Sequence, residues 1–263
     1  MDNDRPPLKA TEEGQRRFSG VARLYGEIGL ARLRTAHVCV IGLGGVGSWA
    51  VEALARNAIG TFTLIDLDNV SASNTNRQIH ALDENYGLAK VTAMARRITA
   101  INPEAQVSAI EDFIDENNLD ALIPINCTAI IDAIDMVANK TALIAWAVSH
   151  QLKLITCGAA GGKFNPLQTR IADLSRTEQD PLLAKVRSNL RRNHGFPRGE
   201  KTKFGITAIY SAEPVSLPQT ESCPSIPLTG LNCAGYGSSV NVTATFGFTA
   251  AAQVLQHIVL DTL

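Results

Sequence analysis

Gly42-Leu43-Gly44-Gly45-Val46-Gly47 carries the spacing G-x-G-x-x-G. Glycines so placed let the main chain approach a phosphate, and a helix that starts there aims free N–H groups and positive potential at it. Asp66, twenty-four residues beyond Gly42, is placed to accept hydrogen bonds from a ribose hydroxyl. So far the pattern suits a nicotinamide or flavin enzyme as well as one that uses ATP. The residues that follow separate these possibilities. Asp66-Leu67-Asp68 leads to Asn74-x-x-Arg77-Gln78, then to Lys90 and later to Asp132-x-x-Asp135. Hydride transfer has no need for an arginine, a lysine and a metal-binding carboxylate converging on one nucleotide. A triphosphate does: Arg77 and Lys90 would neutralise phosphate charge, and Asp135 would hold Mg²⁺.

These residues need a scaffold that brings distant segments to one edge. His37–Ile41 is a short apolar run suited to a buried parallel strand, and the glycine turn links it to a helix over residues 48–57. Thr61–Ile65 reads as a second strand closed by Asp66. A helix over 90–101 stops at Asn102-Pro103, and strands follow at 106–110 and 129–131, the latter ending at Asp132. A helix at 140–150 and a strand at 153–156 complete an alternating pattern. That alternation predicts an α/β fold with a doubly wound, mostly parallel sheet. Before it, residues 15–35 read as a helix with Phe18, Val21, Leu24, Ile28 and Leu33 near helical spacing. After it, strands at 167–172 and 204–210, a basic helix at 181–192 and a long polar loop at 211–237 predict an extension with antiparallel strands. The expected organisation is a tail over 1–15, a nucleotide-binding unit over 16–160 and an extension of the same domain over 161–263.

Composition narrows the classes. The 263 residues are 45% hydrophobic and 19% charged, too apolar for overall disorder, and the net charge is −1. Five cysteines, Cys39, Cys127, Cys157, Cys223 and Cys233, form no CxxC pair, so neither a disulfide framework nor a zinc site of the usual spacing is expected. The opening Met1–Pro7 has no apolar core of a signal peptide, and a cytoplasmic location is expected. Val240–Leu260 is long enough to be tested as a membrane span. Its Asn241, Gln253, Gln256 and His257, together with its threonines, would be costly in lipid, which favours a core or dimer-interface helix.

Taken together, the glycine turn, Asp66-x-Asp68, Asn74-x-x-Arg77-Gln78, Lys90 and Asp132-x-x-Asp135 resemble the ubiquitin-activating-enzyme superfamily over about residues 16–160. Bacterial members adenylate the carboxylates of sulfur-carrier proteins. The resemblance implies that Gly42, Gly44, Gly45, Gly47, Asp66, Asp68, Asn74, Arg77, Lys90 and Asp132 hold ATP and that Asp135 holds Mg²⁺. Four further stretches resemble one branch, the tRNA threonylcarbamoyladenosine dehydratases: Arg17–Gly26 (RFSGVARLYG), Asn74–Leu82 (NTNRQIHAL), Gln179-Asp180-Pro181-Leu182 and Thr243–Phe248 (TATFGF). That branch implies a tRNA substrate, a homodimer and no zinc, with a sulfur-relay protein as a possible partner. Relatives carry an arginine in the N-terminal helix that reaches the partner subunit's ATP site. Gly20 stands at that position here, flanked by Arg17 and Arg23. Cys233 matches a cysteine of the branch and is the candidate for a chemical role. Cys157 reads as a buried structural thiol, and His80 as a residue that orients the phosphate segment.

One charged stretch stands apart. Lys185, Arg187, Arg191, Arg192, Arg198, Lys201 and Lys203 face a single Glu200, a local charge of +6 in a chain whose total is −1. This is the candidate RNA surface, since phosphate contacts need clustered cations. A solvated helix face would have the same composition. Three other functions compete: activation of a sulfur-carrier protein, nicotinamide-dependent oxidoreduction, and a non-enzymatic scaffold. The full set Asp66, Arg77, Lys90 and Asp135 argues against the scaffold, which would not need all four.

Overall fold

The structure is a computed structural model and describes residues 11–199, 202–217 and 236–260. Seven strands form one sheet in the order β3-β2-β1-β4-β5-β7-β6. These are β1 (His37–Ile41), β2 (Thr61–Ile65), β3 (Gln106–Ile110), β4 (Ala129–Asp132), β5 (Leu154–Cys157), β6 (Thr169–Asp173) and β7 (Thr207–Ser211). Every neighbouring pair is parallel except β6 with β7. The extension therefore contributes one antiparallel edge strand, while β7 prolongs the parallel run beside β5. All seven strands overlap the expected ones.

The helices are α1 (Glu12–Thr35), α2 (Gly47–Arg56), α3 (Lys90–Ile101), the one-turn α4 (Leu119–Leu122), α5 (Val137–Ser149), α6 (Pro181–Asn193) and α7 (Val240–Leu260). Strand side chains alternate between two cores. Val38 and Val40 join α2, α3 and α7 on one face, while Cys39 and Ile41 join α5 and α6 on the other. Burial on both faces explains why β1 reads as a continuous apolar run rather than an alternating one. Each fully buried aliphatic side chain contributes roughly 1.5–3 kcal/mol relative to exposure.

Two elements depart from simple periodicity. Gly26 breaks α1 with φ +74° and ψ 166°. Before the break Phe18, Val21, Ala22 and Tyr25 form the inward face and Leu24 points away from it; after the break Leu30 and Leu33 are buried, and Leu24 and Ile28 are each 73% exposed. The apolar α7 packs on α2 through Gly247, where a Cβ would lie 2.5 Å from the Val46 carbonyl oxygen. Trp49 and Phe248 meet edge to face at 5.7 Å beside that contact. The segment is therefore a core helix, and among the described residues no helix is long and apolar enough to cross a membrane.

Candidate active site

In a sheet ordered 3-2-1-4-5, the connections leave in opposite directions from β1 and β4, and ligands bind beyond the carboxyl ends of those strands. A cavity of about 450 Å³ opens there. The glycine turn forms one wall. Gly42 has φ +85°, and a Cβ on it would sit 2.8 Å from the Ala133 carbonyl oxygen. A Cβ at Gly47 would collide with the Gly42 carbonyl oxygen, so this glycine closes the turn from behind and does not line the cavity. Gly44 and Gly45 face the cavity. Between them the four glycines bring main-chain N–H groups of the α2 start to bare surface, as an anion site requires.

Asp66 leaves the end of β2 and ties the turn in place. Its Oδ2 accepts from the Leu43 N–H at 2.6 Å, and its Oδ1 accepts from the Asp68 N–H at 2.9 Å. Burial pushes the Asp66 carboxyl above its ordinary value, although Lys90 and the two N–H donors pull the other way. A ribose hydroxyl would return to this carboxylate part of the solvation that folding removed. Lys90, 5% exposed at the start of α3, places Nζ 2.6 Å from Asp68 Oδ2 and 3.7 Å from Asp66 Oδ1. The two carboxylates hold the ammonium at the cavity lip. Asn74 is buried, and its side-chain oxygen accepts from the Ser71 N–H at 3.0 Å, which leaves the amide NH₂ for a ligand. The Arg77 guanidinium donates to the Ser73 carbonyl and to Asn76 Oδ1, both at 2.9 Å, and has no carboxylate partner among the described residues. Trp49 Nε1 donates to the Arg77 carbonyl at 2.9 Å and so pins this segment to α2.

Asp135 is exposed, lines the cavity and has no cationic partner among the described residues. A lone hard-oxygen donor beside a phosphate cradle fits Mg²⁺, which binds through one or two carboxylates plus substrate phosphates. It would not fit an all-protein cage, and no cluster of three or more metal-ligating side chains occurs among the described residues. Asp132 occupies a different position from the one expected of it. It is fully buried, does not line the cavity, and faces Lys140 of α5, with Nζ 2.8 Å from its Oδ2. A carboxylate at a strand end can point to the crevice or to the helix behind, and the lysine eight residues on decides in favour of the helix.

Sequence reasoning did not single out Asp112, Phe113, Asn139, Leu182 or Thr243 as lining residues. They arrive from the β3–α4 loop, α5, α6 and α7, and only tertiary packing places them. Gln78, quoted only as part of the phosphate motif, lines the cavity at 6% exposure, with its Oε1 unpartnered. His80 lies beneath this segment at 1% exposure, and burial, with Lys90 and Arg97 nearby, lowers it to about 4. Across the cavity Asp180 caps α6 by accepting from the Leu183 N–H at 2.9 Å, and its other oxygen accepts from the Ala159 N–H at 2.9 Å. A Cβ at Gly158 would collide with that oxygen.

The basic stretch divides in two. Arg187 donates to the Thr177 hydroxyl. Arg191 donates to the Pro197 carbonyl at 3.2 Å and lies 5.2 Å from the Phe204 ring centre, while Phe196 packs against the same ring. Lys185, Arg192, Arg198 and Lys203 are exposed. Lys201 and Cys233 lie outside the described residues. Cys157 is 1% exposed, and burial pushes its thiol up to about 12, the environment of a structural cysteine. Arg17 is bound within its own chain, to Glu13 at 2.5 Å and to the Ala100 and Ile101 carbonyls. Arg23 is exposed.

A doubly wound sheet with a glycine turn, a carboxylate at the end of β2 and two cations lining one cavity suits a nucleotide-binding adenylation fold. A family model described as the ThiF family matches residues 18–260, and the chain belongs to that family. The tRNA threonylcarbamoyladenosine dehydratase of Haemophilus influenzae is 48% identical over 246 residues, 93% of this chain and 94% of that protein. The crystal structure of Escherichia coli tRNA N6-threonylcarbamoyladenosine dehydratase in complex with ATP superposes with a TM-score of 0.87 at 43% identity, covering 95% of this chain and 97% of that one. Likeness to the molybdopterin-synthase adenylyltransferase of Escherichia coli is lower, 34% over 132 residues, and spans 50% of this chain and 52% of that protein.

Proposed function

We propose that this chain is an ATP-dependent tRNA threonylcarbamoyladenosine dehydratase. The observation that carries the reading is near-full-length likeness to enzymes of that name, coupled with a cavity whose groups suit a triphosphate. The threonyl carboxylate of the modified nucleoside attacks the α-phosphorus of ATP, and pyrophosphate leaves. The resulting acyl-adenylate is attacked from within the modification, AMP departs, and a cyclic product remains with net loss of water. A carboxylate oxygen is a poor leaving group, and AMP is a far better one. Cyclisation inside one bound molecule gains from proximity.

The chain's own residues do electrostatic work. Gly44, Gly45 and the α2 start cradle the phosphates, Asp66 holds the ribose, Asn74 donates its amide N–H to a phosphate oxygen, and Arg77 and Lys90 neutralise charge that shifts onto the departing pyrophosphate. Asp68 orients Lys90. Asp135 would hold Mg²⁺, which when bound neutralises phosphate charge and aligns the leaving group. The exposed Lys185, Arg192, Arg198 and Lys203 offer the tRNA backbone its cations. Leu24 and Ile28, solvent-facing on α1, support a homodimer in which a second copy covers them. Of the two arginines that flank Gly20, Arg23 is then the one free to reach that copy, since Arg17 is held by Glu13 and two carbonyls.

Incubation with ATP, Mg²⁺ and tRNA bearing the threonylcarbamoyl group, followed by mass spectrometry of the nucleosides, tests the reading. A product lighter by one water is expected. ATP–pyrophosphate exchange stimulated by a sulfur-carrier protein and not by tRNA would instead favour the activity of the molybdopterin-synthase adenylyltransferase, whose likeness covers half of the chain.

A further inference from the structure

Lys140 and Asp132 form an ion pair with both side chains at 0% exposure, and neither touches the nucleotide cavity. Buried pairs of this kind are a weak source of stability, because apolar replacements of similar volume often do as well or better. Their geometry here has a direction. Asp132 Oδ2 accepts from Lys140 Nζ at 2.8 Å and from the Thr156 hydroxyl at 2.7 Å. Lys140 Nζ closes the ring on Thr156 Oγ1 at 3.1 Å. The remaining oxygen, Asp132 Oδ1, accepts from the Ile134 N–H at 3.1 Å, one residue before Asp135. The ring thus joins β4, β5 and α5 and delivers its last bond to the turn that presents the metal carboxylate. On the opposite side the Ala133 carbonyl rests against the Gly42 main chain, too close for any side chain there.

We propose that Lys140 is a positioning residue: through Asp132 it fixes the Ala133–Met136 turn and thereby aims Asp135 at the phosphates. The proposal rests on the assignment of Asp135 to Mg²⁺ made above. Removing the ammonium leaves the Ile134 bond without its orienting partner and lets the turn relax. Outer-shell partners of this kind change metal affinity by about 10–100-fold.

The test compares Lys140→Met, the charge-free pair Asp132→Asn/Lys140→Met, Thr156→Val and Asp135→Asn in the full chain. Mn²⁺ binding to the complex with a non-hydrolysable ATP analogue is followed by water-proton relaxation, beside analogue affinity measured in EDTA and the thermal midpoint. The charge-free pair guards against loss of folding in Lys140→Met, and Thr156→Val keeps both charges while cutting the ring. Expected are a loss of Mn²⁺ affinity of about tenfold or more in Asp135→Asn and in each ring variant that folds, with analogue affinity in EDTA within about threefold of the parent. Unchanged Mn²⁺ affinity in the folded ring variants, with a loss in Asp135→Asn, overturns the positioning role alone. Unchanged affinity in Asp135→Asn overturns the metal assignment, and the proposal with it.

Discussion

Arg77 and Arg191 show how differently two regions of this molecule use the same side chain. In the crevice, short polar turns hold the guanidinium of Arg77 by neutral acceptors and leave its charge uncompensated. In the basic arm, Arg191 is taken up by a carbonyl and an aromatic ring of the chain that follows α6, and Arg187 by the Thr177 hydroxyl of the chain that precedes it. The difference teaches that a sequence count of charge overstates what is available. Of the six described cations between residues 185 and 203, Lys185, Arg192, Arg198 and Lys203 are exposed.

The largest expected effect lies in the crevice. Asp135→Ala should lower ATP-dependent product formation by about 10²–10³-fold while the fold persists, the size expected when a preorganised electrostatic contact is removed. Turnover near that of the parent would break the contrast at its stronger end. Acid should separate the regions next. His80 is held near 4 in the folded chain against 6.5 as an ordinary value, so the folded state carries fewer protons between those limits. Stability is complete above about pH 6.5 and falls as pH drops toward 4, by about 3 kcal/mol if the shift acts in full. Denaturant titrations of the parent and of His80→Gln across that window should diverge, and parallel curves would remove the histidine from the account.

Within the arm, Arg192→Glu should weaken tRNA binding about tenfold at low salt and less at high salt, leaving the melting temperature unchanged. Arg191→Ala is the smallest expected effect and the opposite in kind. It should cost about 1 kcal/mol of stability through the lost ring contact and carbonyl bond. Loss of RNA affinity at constant stability in that variant would reverse the division of labour.

Much of the fold was legible because its signals are local. Buried parallel strands leave apolar runs such as His37–Ile41, and Asn102-Pro103 ends α3 where expected. That Gly42, Asp66 and Lys90 would meet at one cavity was legible too, since they flank strand and helix ends whose positions follow from the alternation. What stayed hidden depends on three-dimensional neighbours. Asp132 and Asp135 have the same chemistry three residues apart, yet one meets Lys140 in the core and the other meets solvent. Leu24 lies off the face that Phe18, Val21 and Tyr25 bury, and Ile28 follows the break at Gly26, whose φ no spacing rule reports. Thr243 and Leu182 reach the cavity from the far end of the chain, through packing that periodicity does not encode.

The carboxylate of Asp180 has a mechanical consequence. One oxygen starts α6 and the other clasps the loop at Ala159, so that a single carboxylate ties the cationic helix to the wall of the cavity. From Leu182, which touches the pocket, to Arg192 is about 15 Å along the helix axis. Under the tRNA reading, the protein measures like a ruler: wherever the polynucleotide grips the helix, its reactive base is carried to a set offset from the α-phosphate, and a nucleoside bound without its flanking backbone forfeits that alignment.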